Sequence, residues 1–373
     1  MKKRFADVIT LSLLAGVITI FSLSYICTPQ KDFSENENKA LQTFPAPKFS
    51  NILDGSYTSR LHDYFADQVA FRTQMVEIKA LFELLRSTKE NNNILYGNNG
   101  YLIDTHNSTE QNYSYLQNNL NKIESIMSTA KERGIEVHSY IIPRKIDVLR
   151  EYLPQNFSFE RSQNIWSLVS DDHTSLLPPL YKAEANGAST FYRTDHHWTA
   201  EGAYIAYLKL AADLGFEAYP MEYFEIQPLS STFFGTSYSK SGFFFSSADT
   251  IKAPSINSDT YLTTIMDTGE SFAGFYKNEY LSKKDKYSTF LGGNHAHVKI
   301  TDTQDDKKPK LIIIKDSFSH SLAPYLAVHF DLELIDPRYF NGSIESYITN
   351  GDFDKLVFIF GIETLSSANI SIR

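Results

Sequence analysis

Leu311-Ile312-Ile313-Ile314-Lys315-Asp316-Ser317-Phe318-Ser319 is the stretch on which the fold turns. Four aliphatic residues in unbroken succession describe a strand buried on both faces, the kind found in the middle of a parallel sheet. The run ends abruptly in Lys315-Asp316-Ser317, and a helical pattern over 318–330 follows. Strand, polar turn and helix in that order predict an α/β sheet with Ser317 at the carboxyl end of a buried strand, the edge where such sheets bind ligands. There a serine hydroxyl would lie beside a helix N-terminus, whose free N–H groups and dipole can stabilise an oxyanion. On this segment alone, an ordinary Asp or Ser helix cap is the simpler account.

The surrounding pattern agrees with that fold class. The spacing of Leu116, Leu120, Ile123, Ile126, Met127 and Ala130 predicts a helix over 115–133, closed by Gly134. A strand over 136–142 follows, and strands are also expected over 332–335 and 356–360, with a helix over 344–349 between them. Residues 57–85 carry apolar positions at helical spacing and predict one or two helices packed on the main body. Residues 219–294 lack long periodic runs and are rich in Ser, Thr and aromatics, for example Thr232 to Phe245. They are expected to form a β-rich or irregular insertion near the site.

The first residues suggest an address. Met1-Lys2-Lys3-Arg4 is basic, and Val8 to Cys27 contains no charged residue, close to the about 20 residues that a membrane-spanning helix needs. Positive charge before the apolar run places the N-terminus inside and the remainder outside the cytoplasm. A small-residue cleavage site fits poorly over Leu23-Ser24-Tyr25-Ile26, and a lipoprotein site at Cys27 fits poorly because bulky Ile26 precedes it, so an uncleaved signal anchor is preferred. The expected organisation is a signal anchor over 1–27, a Pro-punctuated linker over 28–56, and one catalytic domain over 57–373. Cys27 is the only cysteine, so no intrachain disulfide can hold the domain together. The net charge of −9 argues against nucleic acid as a partner. The many aromatics (23 Tyr and 27 Phe) are accounted for first by core filling and second by stacking on sugar rings.

Thr194-Asp195-His196-His197-Trp198 is the second chemical signal. A carboxylate beside an imidazole orients and charge-stabilises a general base. The same residues could also ligate a metal or cap the helix that follows. A metal is disfavoured because adjacent histidines rarely converge on one ion and no H-x-x-x-H spacing supports it; no cofactor is expected. Gly269-Glu270-Ser271-Phe272 lacks the final glycine of a nucleophile elbow. Asn107-Ser108-Thr109 matches a glycosylation acceptor and carries no weight without a host.

The Asp-His-His-Trp run, followed more than a hundred residues later by a hydrophobic strand and Asp316-Ser317-Phe318, resembles the DHHW family. These are SGNH-hydrolase-like proteins related to the alginate O-acetyltransferase proteins of the bacterial envelope. Glu37 to Leu41, Phe44-Pro45, Phe71-Arg72, Pro143-Arg144-Lys145, Leu153-Pro154, Gly292-Gly293-Asn294-His295 and Asp336-Pro337-Arg338-Tyr339 extend the likeness from about residue 37 onward. The resemblance implies a flavodoxin-like parallel sheet with helices on both faces. It also implies Ser317 as nucleophile, His197 as base and Asp195 as its orienting acid. The backbone N–H of Ser317 would be one oxyanion donor, with Gly292 and Asn294 candidates for a second. Arg338 and Tyr339, after the next strand, are candidates for substrate binding. His196 is expected to be a structural or substrate-contacting neighbour, and Trp198 to fill the core.

The activity implied is acetyl transfer onto a polysaccharide outside the cytoplasm, with a multi-pass membrane O-acyltransferase as acetyl donor. Two alternatives stay open at this point. One is an acetylesterase with the same triad; the other is a catalytically silent polysaccharide-binding or assembly protein.

Overall fold

The computed structural model describes residues 2–34, 39–86, 89–105, 109–155, 157, 164–256, 258–305 and 307–372. Glu37 and Asn38, and Asn107 and Ser108 of the glycosylation pattern, lie outside the described residues. The chain divides into two compact units, residues 1–91 with 239–244, and residues 92–238 with 245–373.

The first unit is helical. Lys2–Cys27 is one continuous helix, and Phe49–Leu53, Ser56–Gln68 and Arg72–Leu85 follow. The amphipathic stretch over 57–85 is therefore two helices. Within the expected linker, Phe33–Ser34 pairs with Lys39–Ala40. The Tyr25 hydroxyl donates to the Phe65 carbonyl at 2.7 Å, and the rings of Tyr25, Phe44, Tyr64 and Phe65 meet edge to face. Among the described residues, no helix is long and apolar enough to cross a membrane. The anchor expected over 1–27 thus has no support from the fold and is taken up below as a proposal.

The second unit is built on an eight-stranded sheet. In chain order its strands are β1 (Glu136–Ile142), β2 (Thr174–Ser175), β3 (Tyr261–Ile265), β4 (Glu270–Ala273), β5 (His297–Asp302), β6 (Lys310–Lys315), β7 (Asp331–Ile335) and β8 (Lys355–Gly361). They lie side by side in the order β4-β3-β5-β7-β6-β8-β1-β2. From β7 to β2 every pairing is parallel, and β5, β3 and β4 are added antiparallel. The sheet is thus mixed, which corrects the expectation of a parallel one. The correction has a physical origin. Strands β6 and β8 carry unbroken apolar runs, 311–314 and 356–360, whereas β3 and β5 bury alternate side chains such as Thr263, Ile265, Val298 and Ile300, a weaker signal in short segments. The stretch over 219–294 is accordingly not wholly an insertion, since it supplies β3 and β4 to the main sheet.

Helices cover both faces. Ile312 and Ile314 of β6 pack with Leu356, Phe358 and the helix α1 (Glu110–Glu132). Leu311 and Ile313 face the other way, toward α2 (Ala200–Leu214) and α3 (Ser319–Ala327). Period-two alternation of one aliphatic run between two helical layers explains why β6 carries no polar residue between Lys310 and Lys315. Strand β1 occupies the expected residues, and β6, β7 and β8 each add a residue or two to the expected cores. Helix α1 begins earlier than expected, at Glu110, behind a capping box made by Thr109 and Asn112. Helix α3 is shorter than the apolar pattern suggested.

Candidate active site

Beyond Lys315 the chain turns away from the sheet, and Asp316 fixes that turn. Its carboxylate is fully buried and accepts from the N–H of Phe318 at 3.1 Å, the N–H of Gly361 at 2.8 Å and the hydroxyl of Thr364 at 2.7 Å. Gly361 ends the neighbouring strand β8, so the serine turn is pinned to the adjacent strand end. Ser317, half-buried, is left at the carboxyl edge of the sheet. The N–H groups of Phe318, Ser319 and His320 all bond within this turn, whereas the Ser317 N–H has no acceptor among the described residues.

The candidate base, His197, comes from a tight segment between Thr190 and Thr199. The Thr199 N–H donates to the Thr190 carbonyl at 2.9 Å and the Tyr192 N–H to that of His197 at 3.2 Å, bending 191–198 back on itself. This brings the Asp195 carboxylate onto the ring two residues later. Asp195 Oδ1 accepts from His197 Nδ1–H at 2.6 Å and from the His197 N–H at 3.0 Å. With Nδ1 carrying the proton, His197 Nε2 is an acceptor, and Ser317 Oγ donates to it at 2.8 Å. The structure thus brings Ser317, His197 and Asp195 into one hydrogen-bonded line. Burial acts to raise the Asp195 pKa. The nearby His196 and His197 imidazoles, with the hydrogen bonds from His197 and the Thr236 N–H, outweigh it and hold the carboxyl well below its usual range.

Several contributors to this line had no recognisable pattern in the sequence. Thr236 donates its N–H to Asp195 Oδ2 at 2.7 Å and its hydroxyl to the same oxygen at 3.1 Å. Gly235 lets that backbone approach, for a Cβ there would lie 2.2 Å from the Asp195 side chain. Asp249 accepts from the N–H groups of Arg193 and Thr194 at 2.9 and 2.7 Å. Tyr287 stacks on His197 at 3.9 Å between centroids, with 9° between the planes, while Phe318 meets the same ring edge-on. The advance signal was positional: residues 219–294 read as a β-rich or irregular insertion near the site.

The remaining candidates separate. His196 donates from Nδ1 to the Thr236 hydroxyl at 2.7 Å, so it belongs to the support of Asp195. Trp198 is buried as expected, and its indole N–H also donates to the Phe318 carbonyl at 3.0 Å and Ser321 Oγ at 2.9 Å, tying the base segment to the serine turn. Arg338 makes a two-pronged bond to the buried Asp336, through Nε at 2.9 Å and a terminal nitrogen at 2.6 Å. Lys315 stands 3.7 Å from the same carboxylate and donates to His320 Nε2 at 2.8 Å. Tyr339 is exposed beneath the Arg338 guanidinium. Gly292 and Asn294 make no hydrogen bond to the triad; the Gly292 carbonyl instead accepts from His295 at 3.2 Å.

Ligating atoms of Asp195, His196 and His197 lie within 4.8 Å of one another. Those of Asp195 and His197, with His196 Nδ1, are already committed to the hydrogen bonds above, so the set does not fit a chelated metal ion. A second serine–histidine–carboxylate string, Ser139, His173 and Glu124, has its serine and histidine buried in the sheet layer and offers no access to a substrate. Ser271 of the false nucleophile turn lies on β4 against Thr264 Oγ1. A cavity of about 620 Å³ shares Tyr192, Arg193 and Thr199 with the base segment but none of the three triad residues.

A family model described as DHHW protein matches residues 106–335, well over half of the chain. The chain belongs to the DHHW family. The four residues of the family's name stand here as Asp195, His196, His197 and Trp198, two of them in the triad and two supporting it. This DHHW protein is 24% identical over 171 residues to a probable alginate O-acetylase AlgJ of Pseudomonas fluorescens. That match covers 43% of each chain, so the DHHW protein spans less than half the length of this curated relative. Its fold is similar to that of a DHHW family protein from Eubacterium siraeum, with a TM-score of 0.61 at 20% identity over 75% of this chain and 94% of that one. It is also similar to Bacillus cereus PatB1 solved with a sulfonyl adduct, with a TM-score of 0.59 at 17% identity over 74% and 96%.

Proposed function

We propose that this DHHW protein is an extracytoplasmic O-acetyltransferase of SGNH type, which moves acetyl groups through an acetyl-Ser317 intermediate onto hydroxyls of a cell-envelope polysaccharide or exopolysaccharide. The observation that carries the reading is the continuous hydrogen-bonded line Ser317 Oγ, His197 Nε2, His197 Nδ1, Asp195 Oδ1. The kinship with a probable alginate O-acetylase supports acetyl as the group transferred and a polysaccharide as the acceptor.

In the first half-reaction Ser317 Oγ attacks the acetyl carbonyl of a donor ester. His197 Nε2 takes the hydroxyl proton, and Asp195 stabilises the imidazolium through Nδ1–H. The oxyanion is met by the free Ser317 N–H, beside the first turn of α3. His197 then returns its proton to the leaving oxygen of the donor. In the second half a sugar hydroxyl gives its proton to His197 and attacks the acetyl-serine, which restores Ser317. Gly292 and Asn294 stay proposed as sources of a second oxyanion donor.

The acetyl donor is proposed to be a multi-pass membrane O-acyltransferase, and the apolar helix Lys2–Cys27 is proposed as the anchor that keeps the protein beside it, with its catalytic unit on the extracytoplasmic face. Intact-protein mass spectrometry after incubation with an activated acetyl ester tests the chemistry. The expected result is one acetyl group on Ser317, absent from Ser317→Ala and His197→Ala. Loss of the adduct to an added oligosaccharide identifies a transferase, and loss to water alone an esterase. Wild-type protein that neither gains acetyl nor turns over the ester would overturn the enzyme reading in favour of glycan binding.

A further inference from the structure

Lys145 opens the short helical turn Lys145–Val148, just beyond the carboxyl end of β1, and is buried there. Its ammonium donates to three backbone carbonyls, those of Leu102 at 2.7 Å, Arg193 at 2.9 Å and Asp195 at 3.0 Å. Three N–H groups on three acceptors saturate the side chain. Among the described residues no carboxylate forms an ion pair with it. Negative charge comes only from farther off, from Asp249, Asp104, Asp195 and Glu184, and the Tyr101 ring lies 5.4 Å from the nitrogen. Burying an ammonium without a paired anion is costly, so the arrangement calls for a reason.

The reason lies in what the carbonyls belong to. Arg193 and Asp195 flank the bend that folds the Asp195 carboxylate onto His197. Backbone donors meet the other carbonyls there, Leu102 N–H for Arg193 and Tyr238 N–H for Thr194. The Asp195 carbonyl is met by Lys145.

We propose that Lys145 is a positioning residue, clamping the Arg193–Asp195 backbone so that Asp195 holds His197 in line with Ser317. The inference rests on the triad reading above and deepens it. It also sets an alkaline limit. Burial drives the Lys145 pKa down to about 8 against the opposing pull of Asp249, Asp104, Asp195 and Glu184. The neutral amine keeps two N–H groups for three carbonyls, so the clamp weakens as the proton leaves.

The test uses the full chain as wild type, Lys145→Met and Lys145→Arg, each checked for cooperative thermal unfolding. Acetyl-ester turnover is followed against pH, and the low-field proton resonance of the His197–Asp195 hydrogen bond is recorded by NMR. Misplacement of this order costs about 100-fold in rate, so Lys145→Met is expected to lose about that factor in kcat while KM stays within about twofold. Its low-field resonance should shift or vanish. Wild-type kcat should fall reversibly above about pH 8, and Lys145→Arg, whose guanidinium keeps its charge, should lack that limb. A folded Lys145→Met with wild-type kcat and an unchanged resonance overturns the proposal. Should Lys145→Met fail to fold, an alkaline limb unmoved in Lys145→Arg overturns it instead. Absence of ester turnover in wild type would count against the triad chemistry; positioning would then be judged by the resonance alone, where a shift supports it and no change overturns it.

Discussion

His197 Nε2 stands 2.8 Å from Ser317 Oγ, although 120 residues separate them in the chain. Two local devices aim them at each other. The bend over 191–198 carries the imidazole, and the turn held by Asp316 carries the hydroxyl. The Trp198 indole then joins the two segments directly. On the proposed triad reading the serine and the base act as one unit, so single removals should not add. Ser317→Ala and His197→Ala are each expected to lower ester turnover at least about 10³-fold, with the double variant no slower than the worse single one. Steady-state kinetics on the three variants checks this.

Asp195 predicts an acid-side dependence of stability. Its folded carboxyl titrates well below the usual 3.8. Its stabilising contribution is therefore present above that value and is lost as pH falls below it. Urea midpoints of wild type should drop more steeply below about pH 4 than those of Asp195→Asn. Equal slopes would mean that another carboxylate governs the acid limb. At neutral pH, Asp195→Asn should lower kcat by about 10⁴-fold through loss of the imidazole tautomer.

The walls around the triad can be tested by size. Tyr287→Phe keeps the ring on His197 and loses only the hydroxyl contact to Ser321 Oγ, so kcat should fall by less than about threefold. Tyr287→Ala uncovers the imidazole and should cost about tenfold or more. Gly235→Ala forces a methyl group into the Asp195 side chain and should damage kcat well beyond its effect on KM. Parallel pre-steady-state and steady-state measurements separate these outcomes.

Arg338 is a candidate for substrate binding, and two of its guanidinium nitrogens bond to Asp336. Removing it leaves a buried carboxylate with only Lys315 nearby. Arg338→Ala should therefore lower unfolding free energy by about 2 kcal/mol and leave KM for the acceptor unchanged. Chemical denaturation alongside acceptor titration decides the matter, and a raised KM at unchanged stability would return Arg338 to the binding site.

The parts of this molecule legible beforehand share one property, that their signal is local. The aliphatic run over 311–314 announces a buried strand because every residue in it is apolar, and Asp195 and His197 announce a hydrogen-bonded acid–imidazole pair because they are near neighbours in the chain. Lys145, Thr236, Asp249 and Tyr287 reach the same few ångströms from distant segments, and nothing in their immediate sequence records that arrival. Strands β3 and β5 were missed for a related reason. Half-buried antiparallel strands show only alternation over five or six residues, and the Ser/Thr-rich context hides it. Arg338 could not be assigned from sequence, because an arginine after a strand end looks the same whether it meets a ligand or, as here, a buried aspartate.

The order of strands in the sheet carries a consequence for how the molecule comes into being. Strand β6, which presents Ser317, lies between β7 and β8, both of which follow it in the chain. The Asp316 carboxylate that shapes the serine turn bonds to Gly361 and Thr364, at and beyond the end of β8. A growing or emerging chain therefore carries Asp195, His197 and Ser317 before the strand end that holds the serine turn is present. On the proposed triad reading the serine turn takes its shape only once β8 is paired, so a shortened chain lacking Lys355–Gly361 is expected to show no ester turnover, however much of its helical layer has already formed.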